Sequence, residues 1–545
     1  MLAGDPGLAT AELATGGAPD PVPLPRGLLS PRGVGGVKAA VAVVATLWLV
    51  WGLWLERARR ADAWRRTRDL GLVALGVAGG VCWLNLFQFH YPGFGHPSDT
   101  FHYYLGAKYF PEMGYTRLYQ CTAVADAEAG LADVRPVRDL ETNRLETSAA
   151  ILADPARCTR HFTPERWVAF RRDVDFLRSR VPERRWLRFQ QDHGYNATPA
   201  WGMLGSLLTS TGPASNTQLA LLRAIDPLLL LTTGLAIALA FGWRVACVAA
   251  IYFGTNYAAP YGWTGGSLLR YDWLAASVIG ICLLRRDRPA SGGALLMLAS
   301  LLRLFPALIL VGAALGIGGR WLAERRLSLS GFEKRAALGA ISAGLILLPL
   351  SGWLAGPDSW SEFVRNSRVH LSTPLANHVG LRTVLSYDPA QRSAIARDPD
   401  LADPMAPWKQ ARRERFQSHA ALFWVLAIGF GVLIARAAAR QPTWVGAALG
   451  VAWIPVAVEL TGYYWAVLAA LALLSVRHAA MAAALCALSA ASWAVASVWH
   501  WTDEIHVWLS VLGVAFSVFT VLLLTPRGDR RLEEAAVLEA KRDLK

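Results

Sequence analysis

Long apolar runs separated by short basic segments set the limits on what this 545-residue chain can become. A run of about 20 apolar residues, coiled as a helix, matches the hydrocarbon thickness of a bilayer. Backbone in lipid must satisfy its own hydrogen bonds, so such runs predict helices and an all-α polytopic membrane protein. They recur from about residue 38 to about residue 525 and give about a dozen passes, several of them too short for a full ~30 Å core. The formal net charge of +14 would suggest nucleic acid in a soluble chain. Here the Lys and Arg residues sit between the apolar runs, where they set membrane orientation, and a nucleic-acid partner is excluded.

Residues 1–36, rich in Gly, Pro and Ala, read as a flexible tail rather than a signal peptide. Two transmembrane helices are expected in 37–89. The basic joint between them, with Arg57, Arg59, Arg60, Arg65, Arg66 and Arg68, belongs in the cytoplasm, which puts the N-terminus outside. Residues 90–198 then form a large external loop. Within 199–356, the clusters Arg285–Arg288 and Arg320–Arg335 both read as cytoplasmic, yet only the run 291–317 separates them. Arg303-Leu304-Phe305-Pro306 interrupts that run, so two short helices should meet inside the membrane and return to the same side. Residues 357–416 form a second external loop, 417–525 the C-terminal transmembrane helices, and 526–545 a cytoplasmic tail. The joint carrying Tyr463 and Tyr464 falls on the outer side.

In the first external loop, Thr163 followed by Pro164 reads as a capped helix start. Trp167, Phe170, Val174 and Leu177 share one face of that helix, which either lies on the membrane surface or packs on the protein. Cys121 and Cys158 are the two cysteines in polar sequence. Both fall in a disulfide-permissive compartment and are expected to pair. The other four lie in apolar runs and read as packing residues.

Asp99 opens the first external loop just past a transmembrane helix, where an amphiphilic substrate presents its polar head. It is placed to act as a general base or, alternatively, to cap the following helix. Arg303, inside a broken membrane helix, is either a phosphate-binding cation or a structural Arg. Arg270 admits a phosphate role or an interfacial snorkelling one. Arg223 and Asp226, three apart on one helix, are expected to pair with each other. His96, Asp99 and His102 are not expected to bind metal, because Pro97 breaks their helical spacing. Asn196-Ala197-Thr198 matches a glycosylation tripeptide but carries no weight.

Asp99 with Tyr103-Tyr104, then Gly114 and Leu118-Tyr119, resembles the first-loop pattern of GT-C type membrane glycosyltransferases, particularly glycosyltransferase family 87. Leu302-Arg303-Leu304-Phe305-Pro306 resembles that family's Leu-Lys-Pro-Tyr-Pro-like motif, with Arg for Lys and Leu for the first Pro. Asn377-His378-Val379 stands where the family often has Asn-Gln-Ser, and Tyr463-Tyr464 fits a late recurrent position. The first apolar run precedes the family's usual start and looks like an added helix. A GT-C-like bundle is thus the expected fold.

The resemblance implies transfer of a sugar, mannose being the first guess, from a polyprenyl-phosphate-linked donor to a membrane lipid or glycan acceptor. The reaction would take place at the external face of a bacterial cytoplasmic membrane. Asp99 would be the base. Arg303, Arg270 and His378 would hold the donor phosphate, while His102, Tyr103, Tyr104, Asn377, Tyr463 and Tyr464 would bind substrate. No cofactor is implied, and the sequence carries no sign of an oligomeric state. A lipid-linked glycan polymerase or ligase, or a transporter or flippase, is the alternative; a transporter predicts internal repeats, and none is visible.

Overall fold

A computed structural model describes residues 29–89, 93–131, 133–326 and 329–525. The tail expected at 526–545 lies outside the described residues, as does most of the one expected at 1–36. The described part of that first segment is ordered differently from expectation: helix Pro31–Arg57 begins inside it. The Ser30 side chain accepts a hydrogen bond from the Gly33 N–H, and Pro31 occupies the first helical turn.

The chain is a multi-pass, all-α membrane protein. Seven helices among the described residues are long and apolar enough to cross a membrane. Shorter apolar helices at Trp243–Thr255, Pro289–Leu302 and Thr443–Ala457 pack among them. Helix Ala406–Ala438 is 33 residues long, about 50 Å at 1.5 Å per residue. It starts inside the segment 357–416 that reads as loop from sequence, because its first turns are too polar to register as a span.

Helices Pro289–Leu302 and Ala307–Glu324 are separate, broken at Arg303–Pro306. Gly293 lies against the Ala336 carbonyl and Gly339 against that of Ala290, so Pro289–Leu302 starts beside the start of Gly331–Ala355. At the far end of the second helix, Arg320 bonds Glu333 on the same first turns of Gly331–Ala355. The two helices therefore fold back, with both outer ends at one level.

Gly462–Val476, expected to be too short for a full span, is a 3₁₀ helix of 15 residues. At ~2.0 Å per residue it is ~30 Å long, where an α-helix would need about 20 residues. Its side chains from Trp465 to Leu474 are buried all round.

Residues 93–131 and 133–198 form a lobe whose buried side chains join the core of the transmembrane helices. Helix Pro164–Arg178 is capped by Thr163 and packs on the protein, with Phe170 and Val174 fully buried and Phe170 edge-on to Tyr109. A two-stranded antiparallel ladder pairs Pro136–Asp139 with Arg144–Thr147. Cys121 and Cys158 are disulfide-bonded across 37 residues. Beneath them the Asp126 carboxylate accepts hydrogen bonds from Arg135 (2.8 Å), Trp186 (3.0 Å) and Gln190 (2.7 Å). Burial raises its pKa above the usual carboxylate value, against the pull of these donors.

Candidate functional site

The site begins with a short turn, Pro97–Thr100, that runs into a π-helical stretch at Phe101–Leu105. π-turns recur at functional sites because the extra residue per turn re-aims side chains. The cap of this segment is His96, whose Nδ1 accepts the Asp99 N–H at 3.1 Å. The capping alternative for the Asp99 side chain is thereby overturned, and its carboxylate is free to face inward. His96 is held from the other side by the Gly262 carbonyl, 3.0 Å from Nε2. Burial, with the positive Arg270 and Arg185 adding to it, lowers the His96 pKa to about 3. A neutral ring that accepts at Nδ1 and donates from Nε2 satisfies both contacts.

A second segment, the helical turn Tyr261–Thr264 and the loop that follows it to Arg270, lies against the first. The His96 N–H donates to the Gly266 carbonyl at 2.9 Å. Gly266 has φ +68°, and a Cβ there would sit 1.9 Å from the Phe94 carbonyl oxygen, so only glycine permits this approach. The loop ends at Arg270, whose guanidinium meets the Asp99 carboxylate at 2.8 Å in a pair that is more than nine-tenths buried. Arg270 also covers the rings of Tyr463 (4.6 Å) and Tyr103 (5.7 Å).

Arg303 emerges at the break between the folded-back helices, 5.9 Å from the ring centres of both Tyr103 and Trp201. Its guanidinium donates to the Leu302 carbonyl at 3.2 Å, and its Nε has no partner. Among the described residues no carboxylate lies within ion-pair distance of it, so of the structural alternative only the contact with a carbonyl at the break is present. Asp272 acts on it through the electrostatic field. One oxygen of Asp272 takes the Trp273 N–H and the other is unpartnered.

The structure thus gathers Asp99, Arg270, Arg303, Tyr103, Tyr463 and Tyr464. Tyr464 packs on Tyr463 (4.6 Å), Phe305 (5.1 Å) and Trp273 (5.7 Å). Asn377 and His378 reach the vicinity through backbone: Gly462 N–H donates to the Asn377 carbonyl, and His378 bridges to Thr461. The His378 side chain faces Glu459 at 3.5 Å, which removes it from the phosphate-binding set. His102 and Tyr104 also leave the expected substrate set. His102 is buried against the Tyr119 hydroxyl at 2.7 Å, and Tyr104 bonds Gln218 at 2.8 Å on the other side of the turn.

The expected Arg223–Asp226 pair is not formed. Asp226 accepts the backbone N–H groups of Arg270 (2.9 Å) and Tyr271 (3.1 Å), while Arg223 bonds Thr100. A neighbour distant in sequence outcompetes the local i,i+3 geometry. Sequence reasoning also passed over Trp201, Asp272 and Asn196, the last accepting the Tyr103 hydroxyl at 2.8 Å. Asp272 stood two residues from Arg270 and was the one legible signal.

A carboxylate held by one arginine, a second arginine without a carboxylate partner, and the aromatic rings around them can take up a proton, hold an anion and pack against an apolar sugar face. No family model, curated protein or solved structure matches the chain.

Proposed function

We propose that the protein is a GT-C-like membrane glycosyltransferase that moves a sugar, mannose as first guess, from a polyprenyl-phosphate carrier to a cell-envelope lipid or glycan acceptor. The observation that carries the reading is the side-by-side arrangement of Asp99, paired with Arg270, and the carboxylate-free Arg303. Transfer by one displacement needs two charged functions. The acceptor hydroxyl gives its proton to Asp99 as its oxygen bonds the anomeric carbon. The bond from that carbon to the phosphate oxygen breaks, and the departing polyprenyl phosphate carries the charge to Arg303. One displacement inverts the anomeric centre.

Arg270 takes a role different from the one its position in sequence suggests. At 2.8 Å from Asp99 it holds the carboxylate in place and aims it, and it is a positioning residue. The reading places residues 90–198 and 357–416 on the external face of a bacterial cytoplasmic membrane, where a lipid-linked donor presents its phosphate at the interface.

The test is complementation. A strain lacking the protein is supplied with the wild type or with Asp99→Asn, matched for membrane abundance, and its envelope glycans are analysed by mass spectrometry. Wild type is expected to restore a sugar that Asp99→Asn does not. Full restoration by Asp99→Asn refutes the assignment.

A further inference from the structure

Arg223 lies seven residues inside Asn216–Phe241, one of the helices able to cross a membrane. At 1.5 Å per residue this is about 10 Å from the start of that helix. Its neighbours Leu221 and Leu228 are 68% and 61% exposed, so this helix turns an apolar face outward on either side of it. The guanidinium is pressed flat on the backbone of the Asp99 loop: a Cβ on Gly95 would fall 1.9 Å from its Cζ. One nitrogen donates to Thr100 at 3.1 Å, while the buried Nε has no partner.

No carboxylate among the described residues pairs with it. The charged side chain nearest in effect is another cation, Arg180, which is itself held by the Asn216 amide oxygen and the Phe176 carbonyl rather than by an acid. Exposed Phe87 and Phe89 flank the region, with Phe89 5.5 Å from Tyr261, an apolar surface beside the cation. A cation at membrane depth is costly and persists where an anion offsets it.

From this geometry we infer that Arg223, supported by Arg180, binds the phosphate of a bilayer lipid on the flank of the Asp99 loop, separately from the site at Arg303. Bound phosphate offsets the charge of a guanidinium whose other contact orders Thr100, next to Asp99. Occupancy of the flank therefore stiffens the turn that presents the carboxylate. The inference concerns binding alone and stands or falls independently of glycosyl transfer.

The experiment uses the full-length wild-type protein in detergent. Arginines are modified with phenylglyoxal, and modification at Arg223 is quantified by peptide mass spectrometry. Three additions are compared: a phosphatidic acid, the diacylglycerol with the same chains, and inorganic phosphate. Phosphatidic acid is expected to slow modification of Arg223 at least about tenfold, in line with a charge-assisted hydrogen bond, while the other two leave it unchanged. Arg223→Gln should weaken phosphatidic acid binding by a similar factor, and Arg223→Lys should recover part of it. Equal protection by inorganic phosphate overturns the lipid assignment, and absence of protection by phosphatidic acid overturns the site. If Arg223→Gln fails to fold, the protection measured on wild-type protein decides alone.

Discussion

Asp226 holds Arg270 by its backbone: the two carboxylate oxygens accept the N–H groups of Arg270 and Tyr271, at 2.9 and 3.1 Å. The guanidinium of Arg270 is thus left free for Asp99. Asp226→Ala leaves two buried donors without partners, at about 1–3 kcal/mol each. Asp226→Asn keeps one acceptor and should lose less. Both variants are expected to lower turnover while leaving Asp99 in place. Thermal unfolding and kcat measured together check this, and normal turnover by Asp226→Ala refutes it.

Arg303→Gln keeps a polar side chain at the helix break but removes the charge. If Arg303 holds the donor phosphate, affinity for a polyprenyl-phosphate donor should fall roughly 10- to 100-fold, as for a lost charge-assisted hydrogen bond. Arg303→Lys should recover part of it. Kinetic constants within twofold of wild type for Arg303→Gln would remove the phosphate role.

The His96 imidazole titrates at about 3 in the folded protein, far below its ordinary 6.5. A histidine whose folded pKa is lowered contributes stability that is complete above pH 6.5. That contribution is lost progressively as pH falls from 6.5 towards 3, because the unfolded chain protonates first. His370, pushed by burial to about 4, acts in the same direction. The wild-type Tm should drop between pH 7 and pH 5, and His96→Asn should show a smaller drop. Equal pH dependence in both proteins contradicts the assignment of His96.

The folded-back pair makes a topological prediction. In a background without Cys82, Cys247, Cys282 and Cys486, single cysteines at Pro289 and Arg320 should react with an impermeant thiol reagent from one and the same side. Opposite sidedness would require a single crossing.

Opening the Cys121–Cys158 bridge releases a constraint over 37 residues, worth about 4 kcal/mol in the chain-entropy model. Reduction should lower the Tm and speed proteolysis within 93–198. An unchanged Tm would mean that the Asp126 cluster suffices to hold the lobe.

What could be read from sequence was what local chemistry decides. Pro306 breaks the helix ladder wherever it sits, and Thr163 with Pro164 starts a helix because both groups act within one turn. The inward-facing network was legible only as residue types. Asp226 was assigned to the Arg three residues away, but its partners lie 44 and 45 residues on. His378 carried a charge-compatible ring, and only the strand pairing with Leu460–Thr461 shows that it turns to Glu459. Helix Gly462–Val476 is apolar on every side, so no periodicity distinguished its winding.

That winding acts as a length gauge. With three residues per turn, Gly462, Trp465, Leu468, Leu471 and Leu474 stack in one straight ridge, and each added or lost residue rotates everything beyond it by a third of a turn. Rewound as an α-helix, the same 15 residues would shorten from ~30 Å to about 22 Å. If its far end stayed anchored, the start of the helix would retract by about 8 Å, well beyond the 4.6 Å that separates Tyr463 from Arg270. The reach of the two tyrosines into the site is therefore set by a helix type, and a change in that type anywhere along its length would be felt at its tip.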